Sequence, residues 1–316
     1  MPKRFDCVVA GSCVADVICR PVDLRQAPGA ETLHPTEPIE LIPGGITSNA
    51  GITLARLGQR AAVFSAVGGD AWGGLLRGSF EAAGVDTQHL MTFDDKPTSA
   101  TVVLVDQDGQ RSFLHHGGAH KYITASDWLD RRSLWEGARW VLLGYYPLMP
   151  RLQDDLPEVF AELRRLGCKT ALDTSADGGT MHPLEAILPH TDLYVPSLVE
   201  ARGQTGLEDP VAMIGRYRQA GAAGIVGIKL GGGEGVLLEP ADGPMLTVPS
   251  FQPPGDVLDT TGAGDCFLAG LICGLNRGLA LEAAGRLGTA AAAVSVTALG
   301  GSTAIRDLAQ LEKLAR

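Results

Sequence analysis

The stretch DTTGAGDCFLAG, Asp259 to Gly270, sets small residues between two aspartates, Asp259 and Asp265, and runs on into an apolar segment. Val257-Leu258 end a short extended piece, and Cys266 to Leu275 is apolar nearly all round, the pattern of a buried helix. Gly262, Ala263 and Gly264 therefore stand at a helix N-terminus. Unpaired backbone N–H groups and the positive end of the helix dipole make such a place a site for an anion such as phosphate. An ionised Asp265 beside it would repel the anion unless a hydroxyl stood between them. A hydroxyl that gives its proton to Asp265 while its oxygen attacks a phosphorus held by the amides has the geometry of in-line phosphoryl transfer. The pattern G-x-x-x-x-G-K-[ST] occurs nowhere, so this is not a Walker loop. A plain helix start, capped by Thr260 or Thr261 with Asp265 favouring the dipole, accounts for the same letters, and the loop alone leaves both readings open.

At 316 residues, 45% of them apolar, the chain can fill one large α/β core or two smaller ones. Lysine and arginine number 26 against 36 acidic residues, and the net charge of -10 speaks against a nucleic-acid partner. The pairs Arg131-Arg132 and Arg164-Arg165 read as solvated helix faces. The six cysteines lie mostly in apolar runs without C-x-x-C spacing, which points to free thiols in a reducing cytosol and away from zinc or a disulfide framework. Asp6 and Asp16 interrupt the N-terminal apolar stretch too early for a signal peptide, and no window approaches the roughly 18 unbroken apolar residues of a membrane span. A cytoplasmic protein with no membrane partner is expected.

Along the chain, Phe5 to Ala10 reads as a buried strand, followed by a second apolar run from Cys13 to Cys19 and a short half-exposed strand from Pro38 to Pro43. Gly44-Gly45 open a helix with an apolar stripe of Ile46, Ile52, Leu54, Ala55 and Leu57, stopped by Gly58. Strands at Ala61 to Val67, Arg139 to Leu143, Lys169 to Asp173, Asp192 to Val195 and Ile225 to Leu230 alternate with helices at about Ala71 to Ala83, Leu152 to Leu166 and Val211 to Ala220. That alternation predicts a doubly wound, mostly parallel sheet with helices on both faces. Thr98 to His116 breaks it, because TSATVVLV and RSFLHH flank DQDGQ, where Asp108-Gly109 would supply the positive φ angles of a hairpin turn. With the early segment it predicts a small antiparallel sheet, a lid formed by about residues 13–43 and 97–119 of a single 1–316 domain. Two helices dense in alanine and glycine, Ala263 to Asn276 and Leu281 to Ala298, would pack closely at the end.

Here the motifs converge. DTTGAGDCFLAG resembles the C-terminal signature of the ribokinase-like (PfkB) carbohydrate and nucleoside kinases, and GGITSNAGITLARLG, Gly44 to Gly58, resembles their N-terminal one. AVGGDAWGGLL, Ala66 to Leu76, and VGIKLGGGEGVLL, Val226 to Leu238, are also similar to the family, so the resemblance covers essentially the whole chain. It implies an open α/β sandwich with a small β lid over the sugar. It also implies Asp265 as catalytic base, with the Gly262, Ala263 and Gly264 amides stabilising charge on the transferred phosphoryl group.

By the same resemblance Asp16 bonds acceptor hydroxyls, Gly44, Gly45 and Asn49 bind the sugar at a helix start, and Lys229, Gly231 and Gly235 mark the ATP edge. The family's N-x-x-E motif, which orders water around Mg2+, reads Ser197-Leu198-Val199-Glu200 here, keeping Glu200 but not the asparagine. Some members bind K+ beside the anion hole; Asp259 and Thr261 are the matching positions, although a usual serine of the C-terminal loop reads as Ala304. After the central strand, where ribose-specific relatives place an acidic side chain, the chain reads Leu143-Gly144-Tyr145-Tyr146, whose rings either stack on a ligand or fill the core. His115, His116 and His120 are lid candidates for acceptor contact. The expected activity is ATP-dependent phosphorylation of a primary hydroxyl of a sugar or sugar acid. A nucleoside acceptor and a catalytically silent sensor are the alternatives, and a homodimer through exposed lid edges is a further expectation.

Overall fold

The computed structural model describes residues 3–25, 36–175, 178–231 and 233–316, so part of the expected lid segment and part of the Gly231 to Gly235 turn lie outside the described residues. The first strand, β1 (Phe5–Gly11), is FDCVVAG, and a strand with so little polar content has to be covered on both sides. It is: Cys7 and Val9 enter one core cluster, Val8 and Ala10 the other. All eight residues of β4 (Ala61–Gly68) are likewise buried.

The remaining strands are β2 (Val14–Cys19), β3 (Glu40–Gly44), β5 (Leu90–Phe93), β6 (Ser99–Val105), β7 (Arg111–His116), β8 (Ala138–Gly144), β9 (Lys169–Leu172), β10 (Leu193–Tyr194), β11 (Ile225–Gly231), β12 (Gly235–Glu239) and β13 (Leu246–Val248). A nine-stranded sheet has the order β13-β12-β11-β10-β9-β8-β1-β4-β5, parallel from β11 to β5 and antiparallel at the β12 and β13 edge. A four-stranded sheet, β3-β2-β6-β7, forms the lid. This is the ribokinase-like α/β fold expected.

One face of the large sheet carries the helices Gly45–Arg56, Ala71–Ala82, Ala263–Asn276 and Leu281–Ser295; the other carries Leu156–Arg165 and Pro210–Gln219. The two alanine- and glycine-rich helices do pack closely. A Cβ on Gly270 would stand 2.9 Å from Gly288 Cα, and one on Gly288 would stand 2.9 Å from the Phe267 ring.

Several features differ from the sequence reading, among them the lid, the hairpin turn and one helix start. The lid is mixed: its outer pairings are antiparallel, but β2 runs parallel to β6, because the chain leaves β2 to build part of the large sheet before β6 returns. The hairpin turn needs only one positive φ, at Gly109. Asp106 Oδ1 accepts from the Asp108 and Gln110 amides at 2.9 and 2.8 Å and closes the loop instead. The helix expected from Leu152 begins at Leu156, since Pro157 belongs in a first turn where its missing N–H costs nothing.

Under the sheet, Phe64 meets Trp128 at 4.8 Å and Trp135 at 5.1 Å, both edge-on, while the tryptophans stack on each other at 4.8 Å. All three rings are fully buried. Phe64→Ala is expected to lower unfolding stability by about 3 to 5 kcal/mol in urea denaturation.

Candidate active site

The Ala263–Asn276 helix starts from Gly262, whose φ of +76° suits glycine, and Asp265 falls in its first turn at 2% exposure. A carboxylate so buried needs donors. Asn49 Nδ2 and the Tyr145 hydroxyl both donate to its Oδ2, each at 2.8 Å. Burial raises the Asp265 pKa, and the bonds from Asn49 and Tyr145 together with the Lys229 charge oppose that rise. Tyr145 stays a donor, because burial and then the Asp265 charge push its phenol far up. Its φ of 60° is the only positive value among described non-glycine residues, at the turn that follows β8.

Lys229, expected on the nucleotide edge, lines one cavity with Gly231 and Gly235 and also reaches Asp173. Its Nζ lies 3.3 Å from Asp173 Oδ1, and a Cβ on Gly264 would come within 3.0 Å of it. Burial pulls the ammonium down, but Asp173, Glu200 and Asp265 outweigh it and hold its pKa above the ordinary value. Asp173 is raised, first by burial, with the Lys229 charge opposing and Glu200 adding. Asp173 had no place in the sequence reading. Its signal was position: it follows β9 at the carboxyl end of a parallel strand, where ligands of such sheets bind.

Glu200 is the third residue of the Leu198–Thr205 helix and faces the same cavity. Ser197 supplies the N-cap: its hydroxyl accepts from the Glu200 amide at 3.3 Å, and Glu200 Oε2 accepts from the Ser197 amide at 2.6 Å. Serine in place of asparagine thus keeps the helix start intact. Gly231 and Gly235 close the β11–β12 hairpin beside the cavity, both with positive φ.

Two cavities meet at Tyr145. The larger, of about 820 Å³, runs from Lys229, the Gly262 to Gly264 loop and Asp265 to an apolar end with Val236, Phe251 and Phe267. Ala263 departs slightly from its expected part in an anion hole, since its amide points to Thr260 O at 3.4 Å; the Gly264 and Asp265 amides keep the free positions of a helix start. The smaller cavity, of about 220 Å³, lies under the lid and includes Asp16, Gly45 and Asn49. A Cβ on Gly44 would fall 1.9 Å from Asp16 Oδ2 and displace that carboxylate, while one on Gly45, at φ +76°, would fall 2.5 Å from Ser12 O, a backbone atom that cannot step aside. Burial raises Asp16 to about 6, against a hydrogen bond from Thr101. Asn49 Oδ1 is buried with no partner, an acceptor aimed at nothing in the chain.

The other candidates separate. His115 lines the small cavity and its Nδ1 lies 3.0 Å from Thr101 Oγ1, whereas His120 is buried against Ser99 Oγ at 2.9 Å. Adjacent strand residues face opposite ways, which puts His116 on the outer face of the lid. Asp259 accepts from the Thr261 and Gly300 amides at 2.9 and 3.0 Å. Arg111, from β7, completes the group: its Nη1 lies 2.8 Å from Asp259 Oδ1 and 2.6 Å from Thr261 Oγ1. Sequence spacing carries no sign of that contact, which joins residues 148 positions apart in the chain from Arg111 to Asp259.

Residues 4–308 match the family model described as pfkB family carbohydrate kinase. The chain is 29% identical to the aminoimidazole riboside kinase of Salmonella typhimurium, over 83% of this chain and 84% of that one. It is 28% identical to the ribokinase of Haemophilus influenzae, over 83% of each. The solved structure of Arabidopsis thaliana ribokinase complexed with ribose and ATP superposes with a TM-score of 0.85 at 23% identity, covering 100% of this chain and 99% of that one. With a family model spanning nearly the whole length, the chain belongs to the pfkB family of carbohydrate kinases.

Proposed function

We propose that the chain transfers the terminal phosphoryl group of ATP to a hydroxyl of a small acceptor held under the lid, with Asp265 as general base. The observation that carries this reading is the place of Asp265, at a helix N-terminus where the two cavities meet, with Asn49 and Tyr145 both on one of its oxygens. Oδ1 is then left to take the proton. Burial shifts Asp265 toward neutrality and makes it a stronger base than a surface carboxylate. Asn49 Oδ1 and Asp16 accept hydrogen bonds from the acceptor's other hydroxyls, and the helix-start amides with Lys229 stabilise charge on the transferred group. The apolar end of the larger cavity suits a nucleobase.

Among the described residues no cluster of three metal-type side chains could hold an ion alone. Mg2+ fits as a companion of the nucleotide: phosphate oxygens would supply its inner ligands, and Asp173 and Glu200, facing the same cavity, would bond to its waters. Bound there, it neutralises phosphate charge. Beside Asp259 and Thr261, the positions that match the K+ site of some family members, Arg111 supplies a positive charge of its own. Residues 1–316 act as one kinase domain of which the lid is a part. Among the described residues no helix is long and apolar enough to cross a membrane. The outer face of the lid carries an apolar row of Leu41, Val17, Val102 and Leu114, which supports pairing of two copies through the lid.

Asp265→Asn is expected to lower kcat by about 10² to 10⁴-fold while ATP still binds, read by ADP release and by nucleotide titration; undiminished turnover would sink the base assignment. Turnover is expected to be equal in potassium and choline salts, and Arg111→Met to become dependent on the cation supplied. Asp16 has a folded pKa of about 6, above its ordinary 3.8, so its ionisation costs stability, a cost absent below the unfolded pKa and complete once pH has risen through the folded one. Asp16→Asn is therefore expected to stabilise the fold by about 3 kcal/mol near pH 8, shrinking toward zero near pH 4, while raising the acceptor KM.

A further inference from the structure

The lid face over the small cavity is ordered in rows by strand register. Asp16 pairs with Ile42 and Thr101, and Thr101 with His115, which makes one polar row beside the helix start that carries Asn49. Glu40, Ile18, Val103 and Phe113 form the next row; Glu40, paired with Arg20 at 3.7 Å, stays outside the cavity lining, which leaves the three apolar side chains to face it. Leu258 and Leu299 line the same cavity from the body of the protein. Phe113 is 55% and Leu258 52% exposed, so apolar side chains from both lid and body are left open to solvent around this cavity. Hydroxyl groups placed between these side chains would give up water and find no partner, whereas a flat apolar face would lose nothing polar.

Charge narrows the choice further. The cationic side chains lining this cavity are Arg20 and Arg111, and both are already paired: Arg20 with Glu37 at 3.1 Å and Glu40 at 3.7 Å, Arg111 with Asp259 at 2.8 Å. Asp16 and Asp259 line the cavity too. A carboxylate on the acceptor would meet two of its own kind and no uncommitted cation among these lining residues.

Resting on the kinase reading above, we propose that the acceptor is an uncharged sugar bearing a flat aromatic ring, a nucleoside, with its hydroxyls on the Asp16 row, one face of its base against Ile18, Val103 and Phe113, and the polar edge of the base toward the open, solvent-facing side. This places nucleosides ahead of the free sugars and sugar acids that the motifs alone favoured.

Two measurements test it on the full chain. Titration calorimetry without nucleotide compares inosine, adenosine, methyl riboside, free ribose, free fructose and a 2-keto-3-deoxy sugar acid; ADP release from MgATP compares their turnover. The nucleosides are expected to bind, and to turn over with kcat/KM, at least about tenfold better than methyl riboside or either free sugar, with the sugar acid last. Phe113→Ala, at a half-exposed position, should lower kcat/KM for inosine several-fold more than for ribose. The proposal fails if a free sugar, the methyl riboside or the sugar acid binds as tightly as the nucleosides, or if none of the six binds. Should acceptors bind in the expected order with no ADP released from any, the acceptor proposal stands and the kinase reading falls.

Discussion

Everything at the centre of this protein follows from holding the Asp265 carboxyl group where water hardly reaches it. An isolated carboxylate at that depth would be driven to the neutral acid. Three influences resist this, and each comes from a different part of the chain: Asn49 from the first helix, Tyr145 from the turn after β8, and Lys229 from β11. The parallel sheet makes the convergence possible, since its strands end at one edge and deliver their following residues there. Tyr145 in a left-handed conformation and the glycines that no side chain could replace are local costs of bringing backbone so close.

The layered sheet was legible because its signals are short-range: apolar runs of strand length separated by amphipathic helices, with glycine stops. The helix start at Gly262 was legible for the same reason, from five letters followed by an apolar run. What could not be read were the contacts between distant segments. Asp173 looked like the end of a strand, and Arg111 like the polar start of a hairpin arm, until the fold set them against Lys229 and Asp259. The parallel pairing of β2 with β6 was hidden likewise, because strand direction depends on the route between strands and not on their composition.

The loop also shows how a charge can be supplied from outside its own motif. DTTGAGD has no lysine, yet an ammonium lies against Gly264, brought by a strand, and a guanidinium lies against Asp259, brought by the lid. Each of the two aspartates of that stretch thus has a cation near it, and the two cations arrive by different routes. Lys229 comes with the rigid sheet, whereas Arg111 comes with a hairpin whose outer end is exposed.

The mixed lid has a consequence for how this architecture can change. Only Ser12 and Cys13 separate β1, an interior strand of the large sheet, from β2, an interior strand of the lid. The lid is therefore not a cassette spliced into a loop, and it cannot be exchanged between relatives without cutting the core strand beside it. New specificity in such a molecule has to arise one side chain at a time, along rows whose order the strand register has already fixed.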